Sequence, residues 1–438
     1  MKVHFITFGC KANQYDTERF RQELQARGVE VVDAPEAADA CVINTCTVTN
    51  NADATARRAV RKLERDHPGV QVVVAGCSAA LRPEMFAAMA PVRAVVRGHD
   101  PVQVADAIAP LSPHLTRHEE PIGAELLARD ERGTRAWMKI QDGCDRKCSF
   151  CATRLARGVS RSRRPEDIVA EARRLAQNHR EIVFTGIHIG HYGLDLNERG
   201  GPKENTLSHL VARLLEEVPQ ARFRLGSIEA TEIDDELLGL LKGSQGRLVP
   251  HLHVPMQAGS DAVLRAMRRW HTRAQYRDRV LEIAEALPVL GLGADVIVGF
   301  PGETEENFAD TVALVEELPF TYLHVFPFSV RDDTVAATLP DQIPGDVAAE
   351  RGRILRDLAL EKGVAYRRGR VGQTAEIVVE EKSLGLTEDY LRVSLKGDPL
   401  ILEDMIGQVV YGTLRSAESV EDEESGELEV TVAGGGWQ

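Results

Sequence analysis

No apolar run in this 438-residue chain approaches the ~20 residues needed to cross a bilayer, so no membrane partner is expected. The opening MKVHFITFGC lacks the long apolar core of a secretion signal and passes directly into a strand-like pattern. The cytoplasm is therefore the expected compartment, and there thiols stay reduced, which excludes structural disulfides as the main use of cysteine. Internal repeats are absent, and with them the solenoid architectures. Cysteine itself is sparse, seven in all, and no two CxxC pairs stand together as they do in a structural zinc site.

What is present describes a globular protein of two or three domains: 43% hydrophobic and 27% charged residues, in a chain too long for one ordinary core. The formal net charge of −14 is unevenly spread. From Gly372 to Gln438 there are 15 acidic and four basic residues, a balance of −11, which leaves −3 for everything before it. Within that near-neutral part lies RLARGVSRSRR, with five arginines between Arg154 and Arg164. Charge alone reads this segment equally as a phosphate-binding face or as a solvated loop paired with acidic neighbours.

Three cysteines fall in GCDRKCSFC: Cys144, Cys148 and Cys151. Three others each end an apolar, β-branched run in the first 77 residues: Cys10 after KVHFITF, Cys46 after ADACVINT and Cys77 after VQVVVAG. A helical pattern follows each run, so these segments read as parallel strands whose carboxyl ends share one edge, where ligands bind. Asn13 is the expected N-cap of the first helix, with Asp16 in its first turn and Gly28 beyond its end. Cys41, inside a strand, reads as a core thiol.

Beyond a Pro-, Gly- and charge-rich connection, alternation of strand and helix resumes. RAWMKIQDGC, EIVFTGI, RFRLGSIE, LVPHLHVPMQ, LGADVIVGFPGE and YLHVFPFS are strands, with five helical stretches between them. Six strands make most of a TIM-type barrel, whose chemistry sits at the strand ends. A long basic helix leads out, and short strands after Gly372 suggest a small β-barrel. The expected boundaries are 1–110, a linker 111–134, a barrel domain 135–368 and a terminal module 372–436.

The spacing Cys-x3-Cys-x2-Cys fits one iron–sulfur cube held by three thiolates, with the fourth iron open. Here the sequence resembles a known family. CDRKCSFC after the first strand of a partial barrel is similar to the radical S-adenosylmethionine (SAM) enzymes. The N-terminal trio and the terminal β module are together similar to their methylthiotransferases, most of all the branch acting on threonylcarbamoyladenosine of tRNA, on the strength of GCKANQYDTE and FPFSVRDDT. The resemblance implies an α/β fold: an N-terminal open parallel-sheet domain, a central (βα)6 radical SAM barrel and a C-terminal all-β TRAM barrel that binds RNA.

It also implies two [4Fe-4S] clusters, an auxiliary one on Cys10, Cys46 and Cys77 and a radical-generating one on Cys144, Cys148 and Cys151. SAM would bind the latter. Phe150 occupies the motif's aromatic position, and Gly186, Ser227, Glu229 and Gln257 are strand-end candidates for SAM contacts, each equally readable as a cap or turn residue. Expected partners are tRNA and an electron donor such as flavodoxin or ferredoxin. The other substrates considered are isopentenyladenosine of tRNA and an aspartate of a ribosomal protein, and the remote alternative is a zinc-containing RNA-binding protein. His188, His191, His251 and His253 read as structural histidines. Thr304 reads as the cap of the helix that follows it.

Overall fold

The computed structural model describes residues 1–47, 50–110, 127, 133–198, 201–202, 204–416 and 427–431. Most of the expected linker, and the end of the terminal module, lie outside the described residues.

The first domain is a five-stranded parallel sheet in the order β2-β1-β3-β4-β5. Its strands are β1 (Lys2–Thr7), β2 (Glu30–Val31), β3 (Ala40–Thr45), β4 (Gln71–Gly76) and β5 (Val92–Val95). The three central strands are the expected ones. The two edge strands are short and only half buried, so their sequences lack the continuous apolar run that marks a strand covered on both faces.

Helices α1 (Lys11–Ala26) and α5 (Pro101–Ile108) belong to one side of the sheet. There Phe20, Leu24 and Val104 pack with Val3, Phe5, Val42 and Val73. Helices α2 (Asn50–Asp66), α3 (Cys77–Leu81) and α4 (Pro83–Ala87) belong to the other, where Ala56, Val60 and Phe86 meet Ile43, Val72 and Val74. Cys41 is wholly buried in this second layer, as expected.

One expectation is corrected. The N-cap of α1 is Cys10, not Asn13. Asn13 is buried within the first turn and donates to the carbonyls of Phe8 (2.8 Å) and Thr45 (2.9 Å). Its oxygen accepts from buried Arg157 (2.6 Å), so both ends of the amide are committed to buried partners and neither is left to cap a helix. Gly28 does end the helix, with φ +76°.

The second domain holds the six expected parallel strands: β6 (Ala136–Lys139), β9 (Glu181–Thr185), β10 (Arg222–Arg224), β11 (His251–His253), β12 (Gly291–Val298) and β13 (Tyr322–Pro327). They form two three-stranded sheets. Parallel bridges Phe223–Leu248 and Ser227–His253 carry the wall from one to the other. A small antiparallel ribbon, β7 (Gln141–Asp142) with β8 (Arg161–Ser162), frames the cysteine loop, and the short helix α6 (Thr153–Arg157) closes that loop. The crossovers are α7 (Pro165–Leu175), α8 (Leu207–Glu217), α9 (Asp235–Gly243), the pair α10 (Asp261–Ala266) and α11 (Arg273–Ala286), and α12 (Glu305–Glu317). Thr304 caps α12 in a capping box with Asn307.

Alternation along the strands sorts the side chains. Ala136, Met138, Phe223, Leu252 and Ala294 join the core beneath the helices. Trp137, Lys139, Arg224, His251, His253, Asp295, Tyr322 and His324 fall on the opposite, inner face.

Helix α13 (Gly345–Arg370) runs along β13 into the last module. That module is a six-stranded mixed sheet, β17-β14-β15-β16-β19-β18. Its strands are β14 (Thr374–Glu381), β15 (Leu384–Thr387), β16 (Arg392–Lys396), β17 (Val409–Thr413), β18 (Arg415–Ser416) and β19 (Leu428–Thr431). The sheet curls until Gly412 on β17 lies against Val430 on β19, the beginnings of the expected barrel. Its loops seat on the barrel floor: Arg224 donates to the carbonyls of Thr387 (3.1 Å) and Glu388 (2.9 Å), and Arg370 pairs with Asp389 (2.8 Å).

Candidate functional site: two thiol trios

Each trio sits where a parallel sheet ends. Cys10 caps α1, Cys46 follows β3 and Cys77 opens α3 after β4. Gly9 lets the chain pass Cys46 at φ +99°, and a Cβ there would strike the Cys46 side chain. Cys46 and Cys77 are buried, Cys10 exposed. Burial pushes the Cys77 thiol up to about 12, Arg157 opposes this, and neighbouring Cys10 and Cys46 add to it. The three sulfurs therefore share one electrostatic environment. The Cys77 sulfur also lies 3.5 Å from Nε2 of His99.

The second trio lies in the loop after β7. Gly143, at φ +73°, starts it, and a Cβ there would run into the Val159 carbonyl. Gln141 holds the loop from beneath: its amide nitrogen donates to the carbonyls of Asp142 (3.1 Å) and Gly143 (2.7 Å), while its oxygen accepts from the backbone of Ile187 and His188. Cys144, Cys148 and Cys151 are all half-buried. Burial raises Cys144 to about 11, with the charges of Cys151 and Cys148 adding, and burial raises Cys148 as well.

One buried arginine serves each trio. Arg269 lies 3.8 Å from the Cys148 sulfur and pairs with Glu229. Arg157 faces Cys77 and Cys10. Burial alone would loosen its proton, but the charges of Asp142, Asp16 and these two thiols outweigh burial and hold it more firmly. A thiolate-bound iron–sulfur group carries negative charge, and a resident guanidinium complements it. Three neighbouring thiols plus one buried cation, twice over, are a donor set that suits that group.

His188 completes the second site. Its Nδ1 lies 3.4 Å from the Cys144 sulfur, and its Nε2 lies 2.8 Å from Glu232. Glu232 also meets His191 (3.2 Å) and Arg146 (3.3 Å). Burial favours the neutral acid, but the hydrogen bonds from His188 and His191 outweigh it and hold Glu232 at about 2. His188 is thus a partnered histidine, as expected, with a sulfur contact that sequence did not suggest. Its signal was the pair of histidines three apart directly after β9.

The other sequence candidates divide. Ser227, at the end of β10, is exposed on the inner side next to His253. Gly186 is half-buried beside Gln141, and Gln257 stands at φ +66°, bridged to Val296. Phe150 packs on the cluster of Val263, Leu264, Met267 and Phe300. Glu229 is buried and occupied by Arg269, so it reaches the second trio through that arginine.

The arginine-rich segment proves divided. Arg157 is buried between Asp16 (2.8 Å) and Asp142 (2.8 Å), and Arg163 is buried on Glu171 (3.0 Å). Arg161 and Arg164 are exposed and Arg154 half-buried. Sequence also missed Lys11, whose ammonium reaches the inner face at 5.1 Å from the ring of Trp137.

A six-stranded parallel part-barrel with three thiols in the loop at its first strand defines the radical SAM class, and the radical SAM superfamily matches residues 138–315. Residues 2–98 match the uncharacterized protein family UPF0004. The chain belongs to the radical SAM methylthiotransferases. It is 38% identical over 431 residues to the threonylcarbamoyladenosine tRNA methylthiotransferase of Bacillus subtilis, covering 93% of this chain and 92% of that one. The enzyme of the same name from Aquifex aeolicus is 34% identical, over 91% and 97%. The tRNA-2-methylthio-N(6)-dimethylallyladenosine synthase of Geobacillus kaustophilus is 31% identical, over 87% and 73%. Among solved structures, the radical SAM methyltransferase TsrM from Kitasatospora setae superposes with a TM-score of 0.54 over 77% of each chain at 15% identity, a likeness of fold.

Proposed function

We propose that this chain is a tRNA methylthiotransferase that places a methylthio group on carbon 2 of threonylcarbamoyladenosine next to the anticodon. The carrying observation is the pair of thiol trios, each with its own buried arginine, in a chain collinear with relatives of that name. When bound, the two [4Fe-4S] clusters and SAM supply a radical able to break an aromatic C–H bond that no side-chain base can deprotonate, together with the methyl and sulfur to be transferred.

In this reading Cys144, Cys148 and Cys151 hold the radical-generating cluster and Cys10, Cys46 and Cys77 the auxiliary one. Gln141 fixes the shape of the central loop, and Arg269 and Arg157 offset the clusters' charge. Ser227, Gln257 and the backbone at Gly186 line the strand ends where methionine and ribose would lie, with Phe150 packed under the loop. Helix α1 lies along β6 and the terminal module seats on the barrel floor, which keeps water from a reactive intermediate. The exposed Arg58, Arg61 and Lys62 of α2 and Arg161 and Arg164 beside the loop offer phosphate contacts. A low-potential donor such as flavodoxin or ferredoxin would supply electrons, in the cytoplasm.

The test is nucleoside mass spectrometry of tRNA from cells with and without the gene. Loss of the 2-methylthio derivative of threonylcarbamoyladenosine is expected. Loss of the dimethylallyl derivative instead would reassign the substrate.

A further inference from the structure

The inner face of the barrel floor is crowded with charge, and the charges nearly cancel. Arg135 pairs with Glu380 (2.8 Å) and Glu181 (3.5 Å). Arg222 pairs with Glu181 (2.8 Å) and Glu376 (3.3 Å), and Arg224 with Glu181 (2.7 Å). Three guanidiniums thus meet three carboxylates. Lys11 is a fourth cation in the same field, close enough for Arg135, Arg224 and Glu181 to act on it. Among the described residues no carboxylate lies within ion-pair reach of its ammonium.

Its neighbours are aromatic instead. The ammonium sits 5.1 Å from the ring centre of Trp137 and 5.9 Å from that of Tyr390. Tyr390 comes from the terminal module at φ +71°, a left-handed conformation costly for a side chain with a Cβ. Its ring is stacked on His251 at 4.2 Å. His251 Nε2 lies 2.9 Å from the Tyr322 hydroxyl, and its buried Nδ1 has no partner among the described residues. Three separate parts of the chain, α1, β6 and the terminal module, thus set two aromatic rings about one ammonium that no carboxylate pairs among the described residues. Lys11 directly follows Cys10, so this arrangement adjoins the auxiliary site.

We infer that Lys11, between Trp137 and Tyr390, is a carboxylate-binding subsite that recognises the acidic N6 substituent of the target adenosine. This rests on the substrate reading above and adds the residue that selects for it. A threonylcarbamoyl group ends in a carboxylate, whereas a dimethylallyl group is wholly apolar and would leave the half-buried ammonium unpaired. The flat rings hold the ammonium by cation–π attraction in the meantime and present apolar faces to a ureido plane.

The experiment is direct binding of synthetic anticodon stem–loop RNAs to the anaerobically reconstituted full chain, followed by fluorescence anisotropy. One RNA carries threonylcarbamoyladenosine, one the same nucleoside with its carboxylate converted to a carboxamide, and one plain adenosine, which sets the baseline. Wild-type protein is expected to prefer the carboxylate RNA over the carboxamide by about tenfold or more, the scale of one charge-assisted contact. Lys11→Met abolishes that preference, while Lys11→Arg restores most of it. Iron content and the visible spectrum are recorded for each variant. Should Lys11→Met come without iron, the carboxylate-to-carboxamide ratio of the wild type and of Lys11→Arg decides. Equal binding of the two RNAs by the wild type, or an undiminished preference in Lys11→Met, overturns the subsite. If the wild type forms methylthio product on threonylcarbamoyl RNA and the preference survives Lys11→Met, only the subsite falls. If product forms on dimethylallyl RNA alone, the substrate reading falls and takes the subsite with it.

Discussion

The guanidinium of Arg157 reaches the carboxylate of Asp16 on α1 at 2.8 Å and, with the same nitrogen, the side chain of Asn13 at 2.6 Å. This contact joins the loop of the second thiol trio to the helix that begins at the first. Lys139 and Asp142 complete the buried network, at 2.5 Å from Lys139 to Asp16 and 2.9 Å from Lys139 to Asp142.

Replacing Arg157 by Met leaves two buried carboxylates to share one lysine. Breaking one side of a buried ion pair costs about 3–5 kcal/mol. Urea unfolding of the variant should show a loss of that order, and iron should drop first from the Cys10, Cys46 and Cys77 site, whose counter-charge is gone.

Acid should weaken the protein through the same network. Asp16 and Asp142 would be raised by burial, but Lys139 and Arg157 hold both below the ordinary carboxylate range, and Arg224 and Arg222 do the same for buried Glu181. A carboxylate depressed in the folded state contributes stability above its unfolded pKa of ~4 and loses it as pH falls through the folded value. The urea midpoint should therefore be level near neutrality and fall steadily below about pH 5. A midpoint that rose on acidification would contradict the assignment.

Iron content separates the trios. Wild-type protein reconstituted without oxygen should hold about eight irons, and Cys144→Ala or Cys77→Ala about four, as cube stoichiometry requires. Cys41→Ser should leave iron unchanged, because Cys41 is packed within the sheet. Loss of all iron from either Cys144→Ala or Cys77→Ala would show that the sites are not independent.

Gly143→Ala tests the backbone of the central loop. Alanine at φ +73° is strained by about 1–3 kcal/mol, and its methyl group meets the Val159 carbonyl. The variant should lose the iron of the second trio while the N-terminal domain keeps its own.

The strand-and-helix order was legible because parallel strands covered on both faces read as apolar runs, as VVVAG, ACVI and IVF do. Cys10, Cys46 and Cys77 stand where such runs stop, and Cys144, Cys148 and Cys151 were marked by their close spacing instead. Asn13 was misread as a cap because its true acceptors, Phe8 and Thr45, depend on how the strand ends come together. For Arg157 and Arg163 charge alone left a phosphate-binding face and a solvated loop equally open, since the carboxylates that bury them lie on α1, β7 and α7. Lys11 was invisible for a further reason. One of its aromatic walls comes from the other end of the chain, and no local pattern records that.

The guanidinium beneath the first trio has a consequence for biosynthesis. A ribosome makes the N-terminal sheet first, so Cys10, Cys46 and Cys77 emerge while Arg157 is still untranslated. Their environment becomes complete only when the central domain has folded against α1, so the first thiols to be made wait on a cation translated after them.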